Sequence, residues 1–167
     1  MEYLTRDNIT LFLSIIGSAG TALSWIYTWL KSRKKLSIKV IKICKIKDNL
    51  IMYISISNQS ASPICIEGLN ILFEGNAFPC SQLPTMVFKK ESKHGDVVVS
   101  SKEYLTIPLP INLSSSAGTS GYLAFDIPQD ILQNMPKPLI VQVCTNRGKA
   151  VEKKLEYDEE NLWNDMF

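Results

Sequence analysis

Few side chains in this sequence have the type and spacing for covalent or proton-transfer chemistry. The one histidine, His94, precedes Gly95 in a polar stretch, and no nucleophile signature accompanies it. It reads as an exposed turn residue. The four cysteines, Cys44, Cys65, Cys80 and Cys144, contain no C-x-x-C pair, so they lack the spacing that sets two thiolates on one zinc. Glu67, Glu74, Asp126 and Asp130 are dispersed, which gives no carboxylate pair for general acid–base work. Gly118-Thr119-Ser120-Gly121 opens a strand-like alternation rather than a helix, so it cannot present the amides of a phosphate loop. No catalytic, cofactor-binding or metal-ligating residue is expected.

Three other groups of residues carry physical meaning. Lys31, Arg33, Lys34 and Lys35 follow a long uncharged stretch, where basic side chains meet anionic lipid headgroups. Ser14, Ser18 and Ala22 recur every four residues, with Gly17 and Thr21 on nearly the same helical face. Small residues at this spacing let two helix backbones approach closely. In the acidic tail, Leu162, Trp163 and Phe167 sit among Glu159, Glu160 and Asp165. Such a segment docks on an unidentified protein partner or caps its own domain. Nucleic acid is not expected as a partner. Lys and Arg total 18 against 16 Asp and Glu, a net charge of +2, and basic residues interleaved with aromatics are missing outside residues 31–35.

Those groups must be positioned by two kinds of element. Residues 8–30 hold 23 consecutive positions without a charge. A helix of that length covers about 34 Å, against roughly 30 Å of hydrocarbon. A core helix of a soluble domain would show a polar stripe. A cleavable signal peptide would start basic and end its apolar run at small residues, whereas Glu2, Arg6 and Asp7 precede this one and Trp25 to Leu30 prolong it. A transmembrane helix is the better reading. The four cations after it, with Trp25, Tyr27 and Trp29 at the same end, place the C-terminal side in the cytoplasm. In that reducing compartment the cysteines stay unpaired, whereas the opposite orientation would permit two disulfides.

From Leu36 onward, the apolar period becomes two. Ile38 and Val40, then Ile41 and Ile43, alternate with lysines and shift phase once, as at a bulge. Lys39, Lys42, Lys45 and Lys47 then form the solvated face of that strand. Leu50, Met52, Ile54 and Ile56 make a second strand. Residues 58–63 are a loop, and Ile64 to Phe73 a third strand with Gly68 at a bulge, closed by Glu74-Gly75-Asn76. Short strands are expected at residues 85–89 and 96–100, separated by a polar turn, and at 104–113, interrupted by Pro108 and Pro110 at a sheet edge. Residues 114–120 read as a flexible loop, 122–127 as a strand and 128–134 as a short helix. A hairpin over 139–145 and 150–157 turns at Asn146-Arg147-Gly148-Lys149. Seven to nine short strands point to an antiparallel β-sandwich.

The phrase from Tyr53 to Ile71, closed by Asn58-Gln59-Ser60 and reopened by Pro63-Ile64-Cys65-Ile66, resembles the early hairpin of immunoglobulin-like domains in membrane-anchored bacterial proteins. Pro110-Ile111-Asn112-Leu113, Gly121-Tyr122-Leu123-Ala124-Phe125 and Thr145-Asn146-Arg147-Gly148-Lys149 are similar to segments of single-pass membrane proteins from low-GC Gram-positive bacteria and their prophages. The resemblance covers most of the chain and implies an immunoglobulin-like fold. It brings no activity or functional residues to transfer.

The expected organisation is a short extracytoplasmic N-terminus (1–7), a transmembrane helix (8–30), a basic juxtamembrane linker (31–35), a cytoplasmic immunoglobulin-like β-sandwich (36–157) and an acidic-apolar tail (158–167). The expected function is a non-enzymatic binding or scaffold module at the cytoplasmic membrane face, related to phage, whose partners are anionic lipid and a protein. The alternative is a defence or toxin effector whose β-domain senses a signal and whose helices oligomerise to perturb the membrane.

Overall fold

A stretch apolar on every face over six turns has no side to offer a protein core, so a helix there has to stand apart from the rest of the chain. The computed structural model describes residues 6–46, 48–95 and 97–157, and in it α1 runs over Arg6–Ser32. Side chains 8–31 are all exposed. Asn8–Ser32 is long and apolar enough to cross a membrane, and none of its apolar window is buried in the protein. Three of its hydroxyls are satisfied within the helix: Ser14 donates to the Thr10 carbonyl at 2.8 Å, Ser18 to Ile15 at 3.0 Å and Thr21 to Gly17 at 2.9 Å. These three can therefore enter hydrocarbon as satisfied donors.

Where the apolar period changes to two, the described residues form ten strands, eight of them around one core. Strand β1 (Leu36–Ile46) pairs with β2 (Asn49–Asn58), which pairs with β8 (Gly118–Asp126), giving a three-stranded antiparallel sheet. The second sheet has the order β10 (Val151–Leu155), β9 (Leu139–Thr145), β3 (Ile64–Phe73) and β4 (Asn76–Pro79), with β7 (Ile111–Leu113) also on β3. Leu50, Met52, Ile54, Ile56, Leu123 and Phe125 from the first sheet meet Ile64, Ile66, Leu69, Ile71, Val141 and Val143 from the second in one core. Each such side chain contributes about 1.5–3 kcal/mol by leaving water. The molecule is mainly β: an antiparallel sandwich preceded by one apolar helix.

Both expected bulges are present, as register shifts between Val40 and Lys42 and between Ile66 and Gly68. The short helix α2 spans Gln129–Gln133, with Pro128 at its N-cap. Several sequence expectations are corrected. The polar residues 89–95 are not a turn: β5 (Met86–His94) pairs with β6 (Val97–Leu105), and only the tip at Gly95, φ +62°, reverses the chain. This two-stranded arm, about 30 Å long at 3.3 Å per residue, leaves the sandwich with both faces wet. It therefore needs no apolar alternation. The loop of residues 114–120 is shorter than expected, since Gly118 to Ser120 already belong to β8 and pair with β2. The proline-interrupted strand of residues 104–113 is split: Tyr104 and Leu105 end β6, Thr106 makes an isolated bridge with Tyr122, and Ile111–Leu113 forms β7; β4 is an addition to the expected strands.

The arm is pinned at its neck. Thr106 N donates to the Thr85 carbonyl at 2.9 Å, and Thr85 N to Thr106 Oγ1 at 2.8 Å. Ile107 N then donates to the Tyr122 carbonyl on the free edge of β8. A Cβ at Gly121 would stand 2.4 Å from Ile107 Cγ1, so glycine is what allows this crossing.

Candidate functional site

The last carbonyls of a helix need donors from outside it, and a cation near them is favoured by the helix dipole. At the end of α1 the sandwich supplies both. Ala61 N donates to the Lys31 carbonyl at 3.1 Å, and the Arg147 guanidinium donates through Nη2 to the Ser32 carbonyl at 2.8 Å. Gln59 N donates to the Lys35 carbonyl at 2.8 Å as the chain enters β1. Residues 31–35, expected as a linker, are thus held to the sandwich by backbone and side-chain bonds.

A buried polar plug fixes the loop that does this. Asn58 and Ser60 are 1% and 2% exposed. Asn58 Oδ1 accepts from Ser60 N at 2.9 Å, and Nδ2 donates to the Ser62, Leu113 and Ser114 carbonyls at 2.8, 3.3 and 3.0 Å. Every polar atom of the carboxamide is used, which ties loop 58–62 to the loop after β7.

Beside the junction opens a cleft of about 500 Å³, lined by Trp29, Ser32, Arg33 and Lys34 on one side and Arg147, Gly148 and Lys149 of the β9–β10 turn on the other. Gly148, at φ +63°, gives the turn its left-handed residue; Asn146 accepts from Cys65 N through Oδ1 at 3.0 Å. The Lys34 ammonium donates to Thr145 Oγ1 at 3.1 Å and to the Lys149 carbonyl. The Arg33 guanidinium lies 4.2 Å from the centre of the Trp29 ring. Burial, then the charge of Arg147, lower the Lys34 pKa, with Cys144 acting the other way. Arg147 Nη1 is buried without a hydrogen-bond partner. Among the described residues, carboxylate salt bridges are confined to Glu91 with Lys89 and Lys93, so none neutralises the cleft.

Of the four cations expected at the headgroups, Arg33 and Lys34 line this cleft. Lys31 instead holds its ammonium 5.3 Å from the Tyr27 ring centre, and Lys35 is exposed beyond the cleft rim. Arg147 and Lys149 are additional members that had been read only as turn residues. Ser14, Gly17, Ser18, Thr21 and Ala22 lie exposed along α1, and a Cβ at Gly17 would meet nothing within 4 Å. Leu162, Trp163 and Phe167 lie outside the described residues.

A second recess, of about 230 Å³, lies between the arm and the outer face of the first sheet. It is lined by Ile46, Asn49, Ile51, Thr85, Met86, Val87 and Ala124, and holds no titratable group. Next to it Phe88 stacks on Tyr104 at 4.3 Å, and Tyr53 tilts against Tyr122 at 4.7 Å. Burial raises the Tyr122 pKa, with Tyr53 and Tyr104 adding to the effect. His94 is exposed near the arm's tip, and the four cysteines are free thiols. Among the described residues no group of three His, Cys, Asp or Glu side chains is placed to hold a metal.

No family model matches the chain, and no curated protein matches it either. Among solved structures it is similar to the Iho670 flagellar-like filament, at 10% identity over 90% of this chain and 98% of that one, with a TM-score of 0.31. It is also similar to an inactive mutant of the exo-β-N-acetylglucosaminidase from Vibrio harveyi, at 12% identity over 75% of this chain and 18% of that one, with a TM-score of 0.27. Likenesses this loose carry no argument about function.

Proposed function

We propose that the protein is a single-pass membrane anchor that presents an immunoglobulin-like β-sandwich at the cytoplasmic face of the cell membrane, as a non-enzymatic binding or scaffold module. The observation that carries this reading is the exposure of α1 on every face. In water, an uncharged helix exposing Leu11, Phe12, Leu13, Ile15, Ile16 and Leu23 would be an aggregation site, whereas in a bilayer the same surface is solvated. Trp25, Tyr27 and Trp29, at 78%, 62% and 58% exposure, mark the end of the span at which amphipathic rings meet headgroups. The cations next to them favour the cytoplasmic side, and the free cysteines accord with a reducing compartment. The sheet orders β1-β2-β8 and β10-β9-β3-β4 are those of strands A-B-E and G-F-C with an added C-side strand, which supports the immunoglobulin-like reading.

The test is alkaline extraction of membranes containing the full chain, followed by quenching of tryptophan fluorescence with lipids brominated along their acyl chains. Retention in the pellet and strong quenching by bromines near the headgroup are expected. Release into the alkaline supernatant would overturn the anchor.

A further inference from the structure

We infer that the cleft between the end of α1 and the β9–β10 turn is a binding site for a phosphate group, and that Arg147 and Lys149 complete it with Arg33 and Lys34. This rests on the membrane reading for the source of the phosphate, an anionic phospholipid headgroup, but the site itself is a property of the sandwich and its junction. Four cationic residues line one space of about 500 Å³. Among the described residues none of the four makes a salt bridge. The guanidinium of Arg147 is held through one nitrogen, on Ser32, and leaves Nη1 without a partner. A guanidinium fork and an ammonium are the donors that recognise phosphate oxygens, the first bidentately and the second as a point charge.

The position fits a headgroup. The cleft contains Trp29, whose ring lies at the membrane end of α1 and carries Arg33 at 4.2 Å. The sandwich thus brings two turn cations to the same level as two helix-end cations, which makes a localised receptor where the sequence shows a short basic run.

The test uses the full chain released in detergent and assayed by native mass spectrometry against phosphatidylglycerol, phosphatidylcholine and inorganic phosphate in turn. The wild type should retain phosphatidylglycerol in preference to phosphatidylcholine. Replacing both Arg147→Gln and Lys149→Gln should weaken that retention about 20–30-fold, roughly fivefold for each cation near the headgroup. The pair Lys31→Gln and Lys35→Gln, outside the cleft, should weaken it clearly less. Equal losses for the two pairs, or no preference for phosphatidylglycerol in the wild type, would overturn the site. Competition by inorganic phosphate would keep the site and assign it to soluble phosphate as well, whereas its absence assigns the site to lipid. Alkaline extraction of the same samples keeps the two readings separate: a turn variant that loses lipid yet stays in the membrane has lost the site and kept the anchor, whereas release of the wild type would overturn the anchor. Unchanged protection of Cys80 from alkylation shows that the variant is folded.

Discussion

Replacing Asn58 by alanine removes the buried carboxamide that ties the loop capping α1 to the loop after β7, a tie to which Ser115 Oγ adds one bond, to the Ser60 carbonyl at 3.2 Å. The substitution deletes the acceptor of Ser60 N and the donors to three carbonyls. Ser60 Oγ, 2.9 Å from the Ser62 carbonyl, can turn to it and stay bonded. Ser60 N, in a residue 2% exposed, has no such recourse. An orphaned buried donor costs about 1–3 kcal/mol, and the carbonyls of Leu113 and Ser114 lose a donor at the same time. A total near 2–4 kcal/mol follows, or a fall of roughly 8–20 °C in melting temperature for a domain of this size. Asn58→Asp separates the two halves of the carboxamide. It keeps an acceptor for Ser60 N but turns a carboxylate toward three carbonyl oxygens, so its folded-state pKa rises above the unfolded value. That variant gains stability below the unfolded carboxylate pKa of about 4 and loses it as pH climbs through the raised folded value. The assay is pulsed alkylation of the buried Cys80 thiol during thermal and pH titrations of the full chain in detergent. A change below about 1 °C for Asn58→Ala, or an Asn58→Asp variant insensitive to acid, would refute the reasoning.

Other perturbations have equally definite outcomes. Gly148→Ala places a Cβ in open space but on a residue at φ +63°, so it should cost about 1–2 kcal/mol by thermal melting, and Gly148→Asn less, since asparagine tolerates that backbone; equal costs would contradict a left-handed turn. Burial pushes the Cys80 thiol up to about 11, against a backbone hydrogen bond with Ala124 that acts the other way. Its alkylation at pH 8 should therefore run about a hundredfold slower than that of a free thiol and keep rising with pH beyond 9; a rate that levels off near pH 9 would contradict this. We propose that the small-residue face of α1 pairs helices. Ser18→Leu should then reduce crosslinked oligomer in membranes where Ile15→Leu does not, a shift of about 0.6–2 kcal/mol per lost hydrogen bond; identical oligomer fractions would remove the seam.

The parts of the fold legible in the sequence were those in which burial writes a period. Helix α1 announced itself because its apolarity is continuous over a length that can cross a membrane. Strand β2 did so because Leu50, Met52, Ile54 and Ile56 face one core. Even the bulges near Val40 and Gly68 showed, as one-residue slips of phase. The arm was illegible for the complementary reason. Lys89, Lys90, Glu91, Ser92, Lys93 and His94 are exposed on both faces of β5, so nothing selects apolar residues and the composition imitates a turn. Strand β4 was too short for any period to appear. Half the cleft was invisible for a different reason. Arg147 reaches Ser32 across 115 positions, and Lys34 reaches Thr145 across 111. No local pattern records a contact made by the closing hairpin of a sandwich. The basic run 31–35 contains Arg33 and Lys34 of the cleft, but it could not say that Lys31 and Lys35 stand outside it.

The claim that α1 crosses the membrane and leaves the sandwich in the cytoplasm is tested most directly by two-sided labelling. The native thiols serve poorly, since Cys44 and Cys80 are buried. Lys90→Cys on the exposed arm is the reporter to use, with alkylation by a membrane-impermeant maleimide compared in intact and permeabilised cells. The account predicts that Lys90→Cys is protected in intact cells and reacts fully once the membrane is opened. Full reaction in intact cells would put the sandwich outside and contradict the account.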